Sequence, residues 1–294
     1  MYHMIACYGA MRQIGVFGTE ATDLRRGEKC ILRTERGVEL GEIVCLSEPS
    51  PTGPEEATAG QVLRRATPRD VARCDEIEES FAPQEYNFCQ AKIREHNLPM
   101  KLVSVEHLFG GDKIIFYFLA EGRVDFRTLV KDLAAQYRTR IEMRQIGVRD
   151  EARLLADVEH CGRMICCKGF MKELAPVTMR MAKAQKTTLD PAKISGRCGR
   201  LMCCLRFEDQ AYADLREALP RKGTKVKTPQ GVGTVTASET LKQTVSVDVG
   251  GDRDSVFHLS QLEVLPGEPA PQRPRSPAGE ADGPDAPAGP GTGD

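Results

Sequence analysis

The sequence predicts an α+β protein: a small N-terminal β-rich barrel, a helical arm, an α/β sandwich layer with a Cys-rich metal-binding segment, a C-terminal SH3-like β-barrel and a disordered tail. Three observations carry this reading. Short glycine-punctuated alternating runs occur at both ends of the chain. Helix- and strand-period segments alternate between them. Two nearly identical cysteine clusters interrupt the pattern at residues 161–167 and 198–204. The segments fall at 1–60, 61–157, 158–215, 216–265 and 266–294.

Residues 5–46 hold Gly9, Gly15, Gly18, Gly27, Gly37 and Gly41, with strand-like runs at Gly27–Leu32 and Gly41–Val44. Glu48–Pro54 reads as a loop. Thr67-Pro68 offers an N-cap followed by proline at the first helical position. A charged helix runs from there to about His96, with Pro83 expected to kink or divide it. Lys101–Phe109 and Lys113–Leu119 read as strands around a Gly110-Gly111 turn. A helix capped by Asp125 follows, with Phe126, Leu129, Val130 and Leu133 at helical spacing, and Thr139–Ile146 alternates as a strand. The α-β-β-α-β order predicts helices on one face of an antiparallel sheet. Beyond the cysteines, Val177, Met181 and Ala184 share a helical face, and Asp190-Pro191 marks a turn. Lys225–Lys227, Gly233–Ala237, Thr244–Val249 and Asp254–Phe257 are the strands of the C-terminal barrel. Pro266–Asp294, rich in Pro, Gly, Ala and acid, has too little apolar bulk to repay its ordering entropy.

Composition bounds the function. The chain has 294 residues, 40% hydrophobic, with no Trp and a net charge of −1. No run approaches the roughly 18 apolar residues of a membrane span, and Met1–Met4 lacks the basic flank and apolar core of a signal peptide. A cytosolic protein without direct membrane insertion is expected, in a compartment where thiols stay reduced. Eleven cysteines there point to metal or redox work rather than disulfides. There is no Gly-x-Gly-x-x-Gly opening a helix after a strand and no Cys–His–acid arrangement, so no enzyme is expected.

His160–Cys167 matches Arg197–Cys204 position by position, at an offset of 37 residues. Cys161, Cys166, Cys167, Cys198, Cys203 and Cys204 are the candidate ligands. Each Cys-Gly step lets backbone approach a bound ion closely, and thiolates from both motifs suit either a cubane iron–sulfur cluster or zinc. Adjacent cysteines rarely face one metal. One four-thiolate site, or two sites completed by a partner's ligands, both satisfy the spacing. Cys7, Cys30, Cys45, Cys74 and Cys89 read as small apolar fillers, and His160 as a neighbour of the site rather than a ligand. Residues 160–206 carry ten basic and two acidic residues, a local charge of +8. Arg163, Lys168, Arg180, Lys183, Arg197 and Arg200 are therefore candidates for docking RNA phosphates or an acidic protein.

The segments Val124–Arg127, Arg144–Ala152, Cys161–Arg163, Met181–Lys183 and Lys193–Cys204 resemble the bacterial YaaT/RicT family, which carries the C-terminal homology region of a yeast polymerase suppressor. The resemblance covers about residues 5–265. It implies a non-catalytic cytosolic regulator that assembles with two small helical proteins, RicA and RicF, carries [4Fe–4S] clusters and acts with ribonuclease Y in mRNA processing. The family's cluster cysteines correspond to Cys161, Cys166, Cys167, Cys198 and Cys203. The rival reading is a zinc-stabilised RNA-binding module.

Overall fold

The computed structural model describes residues 2–21, 23–47, 58–251 and 253–265. The predicted loop at 48–54 and the predicted disordered tail lie outside them. The chain divides into two compact units, Met1–Phe207 and Glu208–Asp294.

The first unit opens with strands β1 (Tyr2–Tyr8), β2 (Gln13–Thr19), β3 (Lys29–Thr34), β4 (Val38–Ser47) and β5 (Gly60–Arg65). They close a barrel in the order β1-β2-β5-β3-β4. Met4, Ala6, Phe17, Leu24, Cys30, Leu32, Ile43 and Val62 fill it. β5 carries no alternating signal, since Val62 is its one buried residue. It is a strand because β2 and β3 both offer it free backbone edges, one parallel and one antiparallel.

Helix α1 (Pro68–Glu76) starts as expected: the Thr67 hydroxyl accepts from the Asp70 N–H, and Asp70 accepts from the Thr67 N–H. Pro83 does not end the arm. The winding loosens into a π-turn over Ile77–Phe81, where the Ala82 N–H reaches back to the Ile77 carbonyl, and continues as α2 (Ala82–Glu95). The wider turn accommodates a proline that cannot donate.

Strands β6 (Lys101–His107), β7 (Lys113–Leu119) and β8 (Arg140–Gln145) form the second sheet. It is mixed rather than antiparallel. β6 pairs antiparallel with β7, but β8 runs parallel to β7 because α3 (Arg127–Tyr137) crosses over between them. The α3 helix begins one residue after Phe126, and Asp125 contributes through its carboxylate, which accepts from the Arg127 N–H. β7 is buried on both faces. Ile114 and Phe116 meet Cys89, Ile93, Leu129 and Leu133 of the helices; Ile115 and Tyr117 meet Met11, Val103, Leu108 and Ile146.

Helices α4 (Val148–Leu155), α5 (Met179–Ala184) and α6 (Pro191–Ile194) follow, and α7 (Cys203–Glu217) runs on into the second unit. Val177 falls before α5, outside the expected helical face. Asp190-Pro191 is a helix start instead of a plain turn, with the Asp190 carboxylate accepting from the Ala192 N–H. In the second unit β9 (Lys225–Thr228), β10 (Gly231–Glu239), β11 (Thr244–Asp248), β12 (Ser255–His258) and β13 (Glu263–Val264) form one antiparallel sheet in the order β12-β11-β10-β9-β13. Leu219, Val226, Val235, Val245, Val247 and Phe257 make its core.

Cys7, Cys30 and Cys89 are buried fillers as expected, whereas Cys45 is exposed and Cys74 half-buried. Burial pushes the Cys30 and Cys89 thiols up from 9.0 to about 12. Between those values the unfolded chain loses these protons and the folded one keeps them. The stabilisation is complete below pH 9 and is lost as pH rises toward 12, at up to about 1.4 kcal/mol per pH unit for each thiol. Cys30→Ala and Cys89→Ala are each expected to flatten the alkaline limb of the stability–pH curve; a limb of unchanged slope would refute the assignment.

Candidate metal centre

The first cysteine motif folds into a tight turn. The Glu159 N–H donates to the Arg163 carbonyl at 2.9 Å, the Gly162 N–H to Glu159 at 2.9 Å and the Ile165 N–H to Asp157 at 3.1 Å. The second repeats this 37 residues on: Gly196 donates to Arg200, Gly199 to Gly196 and Met202 to Ile194, each at 2.9 Å. Val158 bridges Met164 in one turn and Ser195 bridges Leu201 in the other. The tips need left-handed backbone, with φ of +75° at Gly162 and +71° at Gly199. Glycine directly after Cys161 and Cys198 supplies it without a Cβ clash.

The repeat is longer than the sequence match suggested. The turns bring Cys166 and its counterpart Cys203 together, close enough for Cys203 to raise the Cys166 thiol. Four residues further on, Phe170 and its counterpart Phe207 meet edge to face, with ring centroids 4.8 Å apart. Equivalent residues of the two motifs thus meet, Cys166 with Cys203 and Phe170 with Phe207. Extending the 37-residue alignment from Cys167 to Phe170 shows the longer repeat in the sequence, but not that its members touch.

Cys161 is exposed, Cys166, Cys198, Cys203 and Cys204 are half-buried, and Cys167 is buried. The Cys166 thiol is pushed up to about 12, first by burial, then by Cys203, Cys204 and Cys161 around it. Cys167 is raised by burial and by Cys203, against the pull of Arg153. Cys198 opens onto a depression walled by Val148, Ala152 and Leu155 of α4. Among the described residues no three of His, Cys, Asp or Glu stand in a coordination shell as placed. The donor set nevertheless fits a thiophilic metal in kind: neighbouring thiols help raise the pKa of Cys166 and Cys167, a penalty that a bound cation relieves by holding them as thiolates.

Around the thiols, Arg153 donates to the Met11 carbonyl at 2.7 Å and Lys172 to the Arg12 carbonyl at 2.9 Å, anchoring this segment on the β1–β2 turn. Neither role was visible from sequence spacing. Arg163, Arg180, Lys183, Arg197 and Arg200 are exposed, while Lys168 is half-buried and paired with Asp157. His160 is exposed beside Glu159. The acids Asp157 and Glu159 lie just before the basic window, and both face it, so the field at the site is less one-sided than +8.

Two family models match the chain: the PSP1 C-terminal conserved region over residues 60–146, and the third domain of PSP1-like proteins over residues 176–219. Among curated relatives, the stage 0 sporulation protein YaaT of Bacillus subtilis is 40% identical over 266 residues, covering 90% of this chain and 96% of its own length. An uncharacterised protein of Schizosaccharomyces pombe is 40% identical over 83 residues, 28% of this chain and 11% of its own length. No solved structure matches the chain. No helix among the described residues is long and apolar enough to cross a membrane.

Proposed function

The chain belongs to the YaaT/RicT family, and from that premise we propose that it is a non-catalytic cytosolic regulatory adaptor built around an iron–sulfur centre. The meeting of the two cysteine turns at Cys166 and Cys203 carries the reading. It draws the six thiols of Cys161, Cys166, Cys167, Cys198, Cys203 and Cys204 into one neighbourhood, and these would hold a [4Fe–4S] cluster. Such a group, when bound, supplies an oxygen-sensitive brace between the turns. The protein's own residues then present Arg163, Arg180, Lys183, Arg197 and Arg200 as a docking face. Its partners in this reading are small helical proteins of the RicA and RicF type and ribonuclease Y, whose mRNA processing it would modulate. We read the C-terminal sheet as an SH3-like module of the same adaptor.

Full-length protein purified without air is expected to be brown, with iron and acid-labile sulfide that fall sharply in Cys203→Ser. Colourless protein with stoichiometric zinc and no iron overturns the reading. The exposed arginines favour, as the second reading, a zinc-stabilised RNA-binding module; it requires RNA binding by the chain alone that weakens steeply with salt.

A further inference from the structure

We propose that Glu159 is a positioning residue that locks both cysteine turns with one carboxylate. Its Oε1 accepts from the His160 N–H at 3.0 Å, and its Oε2 accepts from the Arg197 N–H at 3.0 Å. His160 and Arg197 are counterparts under the 37-residue repeat, and each immediately precedes the first cysteine of its motif. One carboxylate therefore holds the same backbone group in both turns, one oxygen to each. The side chain is well sheltered, at 16% exposure, and the flanking charges repeat the symmetry: the His160 ring lies 3.4 Å and the Arg197 guanidinium 3.9 Å from Oε1.

The counterpart of Glu159 is Gly196, and a Cβ there would stand 3.2 Å from Glu159 Oε2. Two glutamates at these positions would bring like charges together, whereas one glutamate and one glycine share the space and serve both turns. A carboxylate accepting backbone N–H groups makes a charge-assisted bond of the stronger kind. Removing it frees Cys161 and Cys198 to move independently, which a centre drawing ligands from both turns does not tolerate.

This rests on the thiolate-centre reading only for its metal consequence, and the test separates the two. Amide hydrogen exchange is followed in the full, metal-free, reduced chain. Glu159→Ala is expected to speed exchange about tenfold in both segments 157–163 and 194–200, with Glu159→Gln intermediate because it retains an acceptor oxygen. The exchanged pair Glu159→Gly with Gly196→Glu is expected to restore protection to both segments, because the two positions are equivalent in the repeated turn geometry; it also controls for misfolding of the single variant. Acceleration confined to 157–163 overturns the lock, and failure of the exchanged pair overturns the equivalence of positions 159 and 196. After anaerobic reconstitution Glu159→Ala is expected to retain less than half the iron of the unaltered chain. Equal iron overturns the positioning role. An unaltered chain that takes up no iron sinks the proposed centre instead, while the exchange data still decide the lock.

Discussion

Arg36→Ala is expected to destabilise the first unit by about 3–5 kcal/mol, the cost of leaving buried charge without its partner. Arg36 sits on the β3–β4 turn, 14% exposed. Its Nη2 lies 2.6 Å from Glu106 Oε2 on β6 and 3.4 Å from Glu39 Oε2 on β4. The two carboxylates are bound elsewhere as well. Glu106 accepts from Tyr117 Oη at 2.5 Å and from the Ala10 N–H at 2.9 Å; Glu39 accepts from the Thr34 hydroxyl at 2.6 Å. One cation thus ties the barrel to the second sheet. Burial drives the Glu39 carboxyl up, and Arg36 is the main group opposing that. Without it, two anions stay buried against each other. Urea unfolding of Arg36→Ala measures the loss. The triple variant Arg36→Met, Glu39→Gln, Glu106→Gln removes all three charges and is expected to recover at least half of it. A cost below about 1 kcal/mol would place the network with ordinary surface pairs and refute the argument.

Gly60→Ala is expected to cost a similar amount, about 3–5 kcal/mol, combining backbone strain with overpacking. Gly60 opens β5 with φ of +152°, and a Cβ there would stand 1.9 Å from the Arg33 carbonyl oxygen. The obstacle is backbone, so no rotamer relieves it. Gly60 pairs with Thr34 of β3 and Phe17 of β2, which puts the clash at the seam that closes the barrel. Gly27→Ala is the comparison. Gly27 also has positive φ, +83°, but its Cβ would meet nothing within 4 Å, so it isolates the conformational cost, about 1 kcal/mol. Equal losses at the two positions would show that the Arg33 contact is relieved by movement of the strand.

Much of this architecture is legible in the residues because its signals are local. Thr67-Pro68 starts a helix through groups three residues apart. Ile114–Leu119 is an unbroken apolar run and reads as a strand. The cysteine motifs declare themselves by residue type and by repetition. Other features are long-range. β5 has no amphipathic pattern, because what makes it a strand is hydrogen-bonding edges supplied by β2 and β3. The parallel pairing of β8 depends on where α3 crosses. Pro83 predicts a disturbance in the arm, but whether the helix breaks or widens depends on how α2 is held against β6 and α1 against β4.

The same division runs through the candidate site. Residue types and their order already show which atoms are available: six thiols in two copies of one motif, glycine at each tip and basic residues around them. Tertiary structure brings equivalent residues of the copies together, Cys166 against Cys203 and Phe170 against Phe207. It also decided that Glu159, invisible as an isolated acid at the edge of a basic window, takes one N–H from each turn. The reason is physical. Residue type and spacing set local turn geometry, whereas contacts between segments 37 residues apart depend on the core and the backbone hydrogen bonds that bring them together.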